Sequence, residues 1–425
     1  MNILLKNMII IDPVQGFEKI GDIAVVDEKI VGVGEVSDFK ADKLIDGGKR
    51  LCACPGLMDM HVHLRDPGYT YKEDINSGCN AAAAGGFTDI VCMPNTNPLT
   101  DNGEAVRYII EKSKPTGVRV HPVGCITKGM KSQSLCDFDE LKNAGAVAVS
   151  DDGRPVENAE LMRQALEASN TNGLTVISHC EDLSIIDGGI INKGKVSKAL
   201  GVKGMDRASE DSITAREIAL AMATDSHIHI AHVSTKGSVQ FIRDAKRYGY
   251  KVTAETCPHY FIYTDEKLLL RDADFRMNPP LRTDEDKQAV LDAVLDGTID
   301  CIVTDHAPHS PEEKADFLKA PNGVVGLETS LAAVLTHLYH TGKASLSDIV
   351  RLMSVNPRKV LNMTPLTLEI GEAADITIFD PHSEWVVDPD KFKSKSKNSL
   401  FKGEKLIGKV INTISGGKFI FSNNG

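Results

Sequence analysis

Residues 59–68 read Asp-Met-His-Val-His-Leu-Arg-Asp-Pro-Gly. In an extended strand, residues two apart project to the same face. His61 and His63 would therefore point together, with Val62 turned the other way. Two imidazoles so placed suit a shared metal ion. Taken alone, the pair reads equally well as two unrelated histidines. His227 and His229 form a second His-x-His, but early in their own apolar run, where a packed or hydrogen-bonded role fits better. The wider pattern carries more weight. Other apolar runs end in Asp151-Asp152-Gly153, in His179, in His232 and in Asp305. On one rim, these would bring together four histidines and two or three carboxylates. That exceeds the three protein ligands of a single catalytic zinc. It matches two metals roughly 3.5–4 Å apart that share a bridging oxygen.

Positioning those ends on one rim requires repeated strand–helix units. The runs GLMDMHVH, TDIVCMPN, VRVHPVGC, AVAVSDD, LTVISHC, HIHIAHVS, KVTAETCPH and DCIVTDHAPH read as strands buried on both faces. Helical patterns lie between them. In GLETSLAAVLTHLYH, Leu327, Leu331, Val334, Leu335 and Leu338 share one face. In TDEDKQAVLDAVLDG, Thr283 and Asp286 form a capping box and Gly297 ends the helix. This is the pattern of an α/β protein with a TIM-like (β/α)8 barrel, whose active site sits at the C-terminal ends of the strands. An open doubly wound sheet is the runner-up, but no glycine-rich phosphate loop follows the first run. Residues 1–54 read as short strands (MIIID, DIAVVD, KIVGVGEV), and so do ADITIFD, KLIGKVINTISGG and KFIFS near the other end. The expected division is a small β-sandwich domain formed by both termini, residues 1–54 and 366–425, around a barrel of residues 55–365.

Composition limits the function classes. The chain has 425 residues, 42% hydrophobic and 25% charged, with a formal net charge of −11. This is a globular composition, and the acidic balance argues against a nucleic-acid surface. No run is long enough to span a membrane. The opening MNILLKNMIIIDP is too short, and too broken by Lys6 and Asn7, for a signal peptide. Nine cysteines without an export signal imply free thiols in the cytoplasm. Cys52 and Cys54 read as small strand residues.

The motifs PGLMDMHVHLRDPG, MPNTNP, SHCED, AHVST, MNPPLR and TDHAPH together resemble the amidohydrolase superfamily. Within it they resemble the bacterial dihydroorotases, which are similar in architecture to hydantoinases and allantoinases. The likeness spans essentially the whole chain. It implies a reversible, metal-dependent closure of N-carbamoyl-L-aspartate to L-dihydroorotate in pyrimidine biosynthesis. His61, His63 and Asp305 match the ligands of a first metal, and His179 and His232 those of a second. Many relatives bridge the metals with a carboxylated lysine. Here the fourth run ends in SDDG, and one dihydroorotase subgroup uses an aspartate there. Asp152 is the matching position and Asp151 the fallback, whose other role would be to orient the loop. The resemblance implies two divalent ions, zinc by preference, with manganese or cobalt as alternatives.

The implied substrate bears a carboxylate. Arg65 would grip it with two hydrogen bonds, or else pair with Asp66 at the surface. Asn95 and Asn278, just past the second and seventh runs, would bind the ring or the carboxylate, although Asn-Thr-Asn-Pro also reads as a plain turn. His309 would complete the carboxylate site, while neighbouring His306 would face outward. The segment SPEEKADFLKAPNGVVG, residues 310–326, is expected to cover the substrate, with Gly323 and Val324 offering backbone contacts. Its charge also fits a solvated loop. Asp305 would be the general acid and base.

Three features are set aside as structural. Cys180 points away from His179, Cys257 and His259 pack, and Trp385 belongs to the β-domain core. A hydantoinase, dihydropyrimidinase or allantoinase would leave Arg65 idle and lacks support from a strand-four lysine. A metal-free scaffold protein would have no use for a complete ligand set. A homodimer is expected, and association with aspartate transcarbamoylase, the preceding pathway enzyme, occurs in parts of the family.

Overall fold

The computed structural model describes residues 1–423. All eight apolar runs of the middle region form strands, at Leu57–Val62, Phe87–Cys92, Arg119–Gly124, Ala148–Val149, Thr175–Ser178, Ile228–Ile230, Val252–Thr256 and Cys301–Ile302. They are parallel and adjacent in chain order. A bridge from Val62 to His306, with His63 N–H donating to the His306 carbonyl at 2.8 Å, joins the eighth strand region to the first. The result is a (β/α)8 barrel. Every residue of the first two strands is buried, as continuous apolar runs require when helices cover the outside.

The helices follow their sequence signals. Thr283 caps Asp284–Leu295, and Gly297 follows at φ +81°. Ser330–Val334 continues directly into a π-helical turn at Leu335–Tyr339, so the expected helix is locally unwound. Leu327, Leu331, Val334, Leu335 and Leu338 are nevertheless all buried.

The termini share one eight-stranded mixed sheet. Its N-terminal and C-terminal parts meet where Cys52–Pro55 pairs antiparallel with Ile376–Phe379. This sandwich domain has its own core, including Ile3, Leu5, Ile10, Ile23, Ile376 and Ile414. Trp385 is not in that core. Its strand passes an irregularity between Asp380 and Glu384. Beyond it the indole is half-buried against the larger barrel core, donating from Nε1 to the Gly408 carbonyl at 2.8 Å. All nine cysteines are free and buried.

A buried ion cluster ties barrel and sandwich together at the end away from the strand C-termini. Asp89, on the second strand, accepts from Arg358 Nη2 at 2.5 Å, from Arg119 Nε at 2.8 Å and from His121 Nε2 at 2.9 Å. Arg119 also reaches Asp375 of the sandwich at 3.0 Å, and Arg358 donates to the Gly56 carbonyl at 3.0 Å. Burial alone would raise the Asp89 carboxyl, but Arg358, His121 and Arg119 outweigh it and hold it well below the usual range. Because the folded value lies below the unfolded one, this contribution is complete above about pH 4 and fades as pH falls through the folded value. Asp89→Ala should cost about 3–5 kcal/mol, since it leaves the buried Arg358 guanidinium without its carboxylate. Urea unfolding at neutral pH checks this, and turnover per folded molecule should be unchanged. An unaltered midpoint would refute the assigned role.

Candidate active site

The strand ends bring six side chains to one point. His61 lies in the first strand, and His63 just past its end. Asp152 Oδ1 is 3.3 Å from His61 Nε2, 3.4 Å from His179 Nδ1 and 3.5 Å from His232 Nε2. Its Oδ2 is 3.4 Å from His63 Nε2. Asp305 Oδ1 is 3.1 Å from His63 Nε2 and 3.7 Å from His61 Nε2. All six side chains are at least nine-tenths buried, or nearly so at Asp305. Two groups of potential ligands share Asp152: His61 and His63 on one side, His179 and His232 on the other. His61 Nε2 and Asp152 Oδ1 are buried without a hydrogen-bond partner. Buried polar atoms normally have one, and a cation between them would satisfy both. Imidazole and carboxylate donors suit zinc and its neighbours, so the residues present fit divalent metal ions. His232 and Asp305 sit at φ +32° and +47°, a left-handed conformation that non-glycine residues hold only where their surroundings enforce it.

Three of the four rings are oriented from behind. His61 Nδ1 donates to Glu255 Oε1 at 2.6 Å, His63 Nδ1 to Asn95 Oδ1 at 2.8 Å, and His179 Nε2 to Glu181 Oε2 at 3.3 Å. Placing the proton on the rear nitrogen leaves a lone pair on the nitrogen facing Asp152. Burial would raise Glu255, but the His61 and His229 rings outweigh it and bring it down to about 2. Glu255 Oε2 also meets His229 Nε2 at 3.1 Å, which gives the second His-x-His its hydrogen-bonded role. Sequence reasoning missed Glu255 and Glu181. The available signal was a carboxylate inside an apolar strand, in TAETC, and a second one two residues after His179.

Asp151 is turned away from the metal-facing atoms. It accepts from the Ile126 and Thr127 amides at 2.8 and 3.0 Å and from the Thr127 hydroxyl. It therefore orients the preceding loop, and Asp152 occupies the shared position. Asn95 and Asn278 line the cavity, but each spends part of its amide on the protein. Asn95 uses its carbonyl on His63, and Asn278 donates to Glu181 Oε1 at 2.9 Å.

A cavity of about 250 Å³ opens in front of this cluster. Arg65 and His309 stand on its wall. The strand ends at Val62, so Arg65 arrives from a turn, at φ +57°, and its Nε donates to the Pro308 carbonyl at 3.3 Å. His309 donates from Nε2 to the Asn322 carbonyl at 2.9 Å and accepts from Lys72 Nζ at 3.3 Å. Burial, with Arg65 and Lys72 close by, pushes it down to about 3, so it is neutral.

Residues 310–326 differ from a solvated loop. They contain a helix, Pro311–Lys314, and the buried Lys314 ammonium donates to the carbonyls of Arg276, Pro321 and Gly323. Gly323 lines the cavity, but its backbone is already engaged: its N–H donates to Arg276 O, and its carbonyl accepts from Lys314 and Asn398. Val324 O accepts from the Ala307 amide. Both backbone groups of Gly323 and the carbonyl of Val324 are thus engaged within the protein, and Gly323 also offers close approach. At φ +142°, a Cβ there would lie 2.8 Å from Ala307. His306 is buried rather than outward, between Glu73 Oε2 at 3.3 Å and the Gly326 amide at 3.2 Å. Cys180 turns its thiol toward Ser178, and His259 packs edge-on against Tyr260.

Comparison with known proteins separates fold from activity. The family model described as dihydro-orotase-like matches residues 49–238. The dihydroorotase of Geobacter metallireducens is 52% identical over 424 residues, covering 99% of this chain and all of that protein. That of Acetivibrio thermocellus is 49% identical over 419 residues, 98% of each chain. Among solved structures, the L-hydantoinase of Arthrobacter aurescens superposes with a TM-score of 0.87 at 25% identity, covering 100% of this chain and 96% of that one. The dihydropyrimidinase of Brevibacillus agri gives 0.86 at 24%, covering 100% and 95%. The backbone is thus common to several cyclic amide hydrolases, while half of the residues are shared with the dihydroorotases from end to end. The chain belongs to the dihydroorotase family, and dihydroorotase is its function.

Proposed function

We propose that His61, His63 and Asp305 hold one divalent ion and His179 and His232 a second, with Asp152 shared between them, and that zinc is the native metal. The observation that carries this reading is the position of Asp152, within 3.5 Å of all four imidazoles. When bound, such ions lower the pKa of water and polarise a carbonyl. The protein's own residues do the rest. Arg65 receives the carboxylate of L-dihydroorotate on the cavity wall, and neutral His309 turns its Nε2–H from the Asn322 carbonyl to the same carboxylate, which sets the ring amide carbonyl over the histidine cluster. Asn95 and Asn278 bound the ring from the sides, and Gly323 lets it approach closely. As water adds to the carbonyl carbon, Asp305 accepts its proton. Asp305 then returns that proton to the ring nitrogen as the carbon–nitrogen bond breaks, releasing N-carbamoyl-L-aspartate. Ring closure runs the same steps in reverse.

A neutral cyclic amide would leave the guanidinium of Arg65 without a partner in the cavity, which favours a carboxylate-bearing substrate. We also assign residues 1–54 with 366–425 to the sandwich domain and 55–365 to the barrel. The enzyme would act as a cytoplasmic homodimer, able to receive carbamoyl-aspartate from an aspartate transcarbamoylase. No helix among the described residues is long and apolar enough to cross a membrane.

Dihydroorotate turnover, assayed in both directions, should vanish on chelation and return with zinc. Turnover that survives complete metal removal would overturn the metal assignment. Asp305→Asn should remain folded and lose about 10²–10⁴-fold in kcat, and near-normal activity would sink its role as proton carrier. Arg65→Gln should raise KM about 10–100-fold through loss of a charged hydrogen-bond pair. An unchanged KM would place the carboxylate elsewhere.

A further inference from the structure

The segment Lys393–Ser399 lies outside the barrel, between strands of the sandwich domain, yet it is fastened to the barrel's active-site loops. Ser394 Oγ and the Lys395 amide both donate to buried Glu73. Ser396 Oγ donates to the Lys72 carbonyl at 2.7 Å. The most heavily used member is Asn398, which is 4% exposed. Its Oδ1 accepts from the His309 amide at 3.2 Å. Its Nδ2 donates to the Ala307 carbonyl at 3.3 Å and the Gly323 carbonyl at 3.0 Å. Its backbone carbonyl accepts from the Val325 amide at 3.0 Å.

One buried residue thus joins two loops that run side by side at the cavity, paired in parallel at His306 and Val324. The first, Ala307–His309, carries the imidazole beside Arg65. The second, Gly323–Val325, carries the glycine that closes the cavity's edge. Only a carboxamide offers an acceptor to one loop and donors to both from a single planar group. An apolar residue would leave buried backbone groups unpaired. Asn398 makes no contact with the six metal-facing side chains through these bonds, so it acts on where the substrate is held, not on the reacting atoms.

We propose that Asn398 is a positioning residue for substrate binding, fixing the distance between the His309 loop and the Gly323 loop so that the cavity fits the carboxylate end of dihydroorotate. This inference rests on the reading that Arg65 and His309 hold that carboxylate.

The test is steady-state kinetics on the metal-loaded Asn398→Ala and Asn398→Asp enzymes, with metal content and thermal melting measured on the same samples. Asn398→Asp keeps the shape and the acceptor for His309 but removes the donor. It decides the matter if the alanine variant does not fold. The expected result is a KM for dihydroorotate about tenfold higher, with kcat within about threefold and full metal content. An unchanged KM would overturn the proposal. So would a loss of kcat in proportion to lost metal or folded protein, and so would failure of both variants to fold, because each of these marks a purely structural role. Arg65→Gln distinguishes the two readings. If it raises KM and the Asn398 variants do not, only the positioning role fails. If the Asn398 variants raise KM and Arg65→Gln does not, the loops are positioned but the carboxylate lies elsewhere.

Discussion

A single carboxylate, Asp152, faces four imidazoles at the buried floor of the cavity, and much of the surrounding polar network keeps it there. Burying that charge without compensation would be prohibitive. The compensation is layered. The imidazoles turn nitrogens toward it, and three of them are held in that orientation by Glu255, Asn95 and Glu181. Asp151, one residue earlier, binds the loop after the third strand. The pair of adjacent aspartates therefore divides into one that serves the site and one that fixes the chain beneath it.

The same barrel has a second buried charge at its other end, and the contrast between the two is instructive. Asp89 is satisfied entirely within the protein, by Arg119, Arg358 and His121. Its geometry is closed, and its work is to hold helix, barrel and sandwich together. At Asp152 an oxygen and a facing nitrogen are left without hydrogen-bond partners. Satisfaction at one end and its absence at the other mark the difference between a brace and a binding site more clearly than burial or charge.

Much of this was legible in the sequence. The eight apolar runs gave the strands because a parallel strand buried on both faces leaves an uninterrupted signature. The His-x-His pair and the polar residues that end runs four, five, six and eight marked the rim for the same reason. What was not legible depended on contacts between distant segments. Glu255 reaches His61 across the barrel, and no spacing rule connects residues 194 positions apart. Arg65 reaches the cavity from beyond the first strand, which stops three residues earlier, so strand alternation does not place it. The inward burial of His306 depends on Glu73, and the pairing of Gly323 depends on Lys314, Arg276 and Asn398. Trp385 was misplaced because an apolar residue in a strand says that it is covered without saying by which neighbour.

The pairing of Cys52–Pro55 with Ile376–Phe379 also has a consequence in time. The strands that begin the sandwich leave the ribosome first, and the strand that covers their edge leaves among the last. At about 5–20 residues per second, the edge at Cys52–Pro55 waits on the order of tens of seconds for its partner. An uncovered β-edge is an invitation to pair with another chain. The nascent protein is therefore most vulnerable to aggregation at its N-terminal edge, during the interval in which the catalytic barrel is being made.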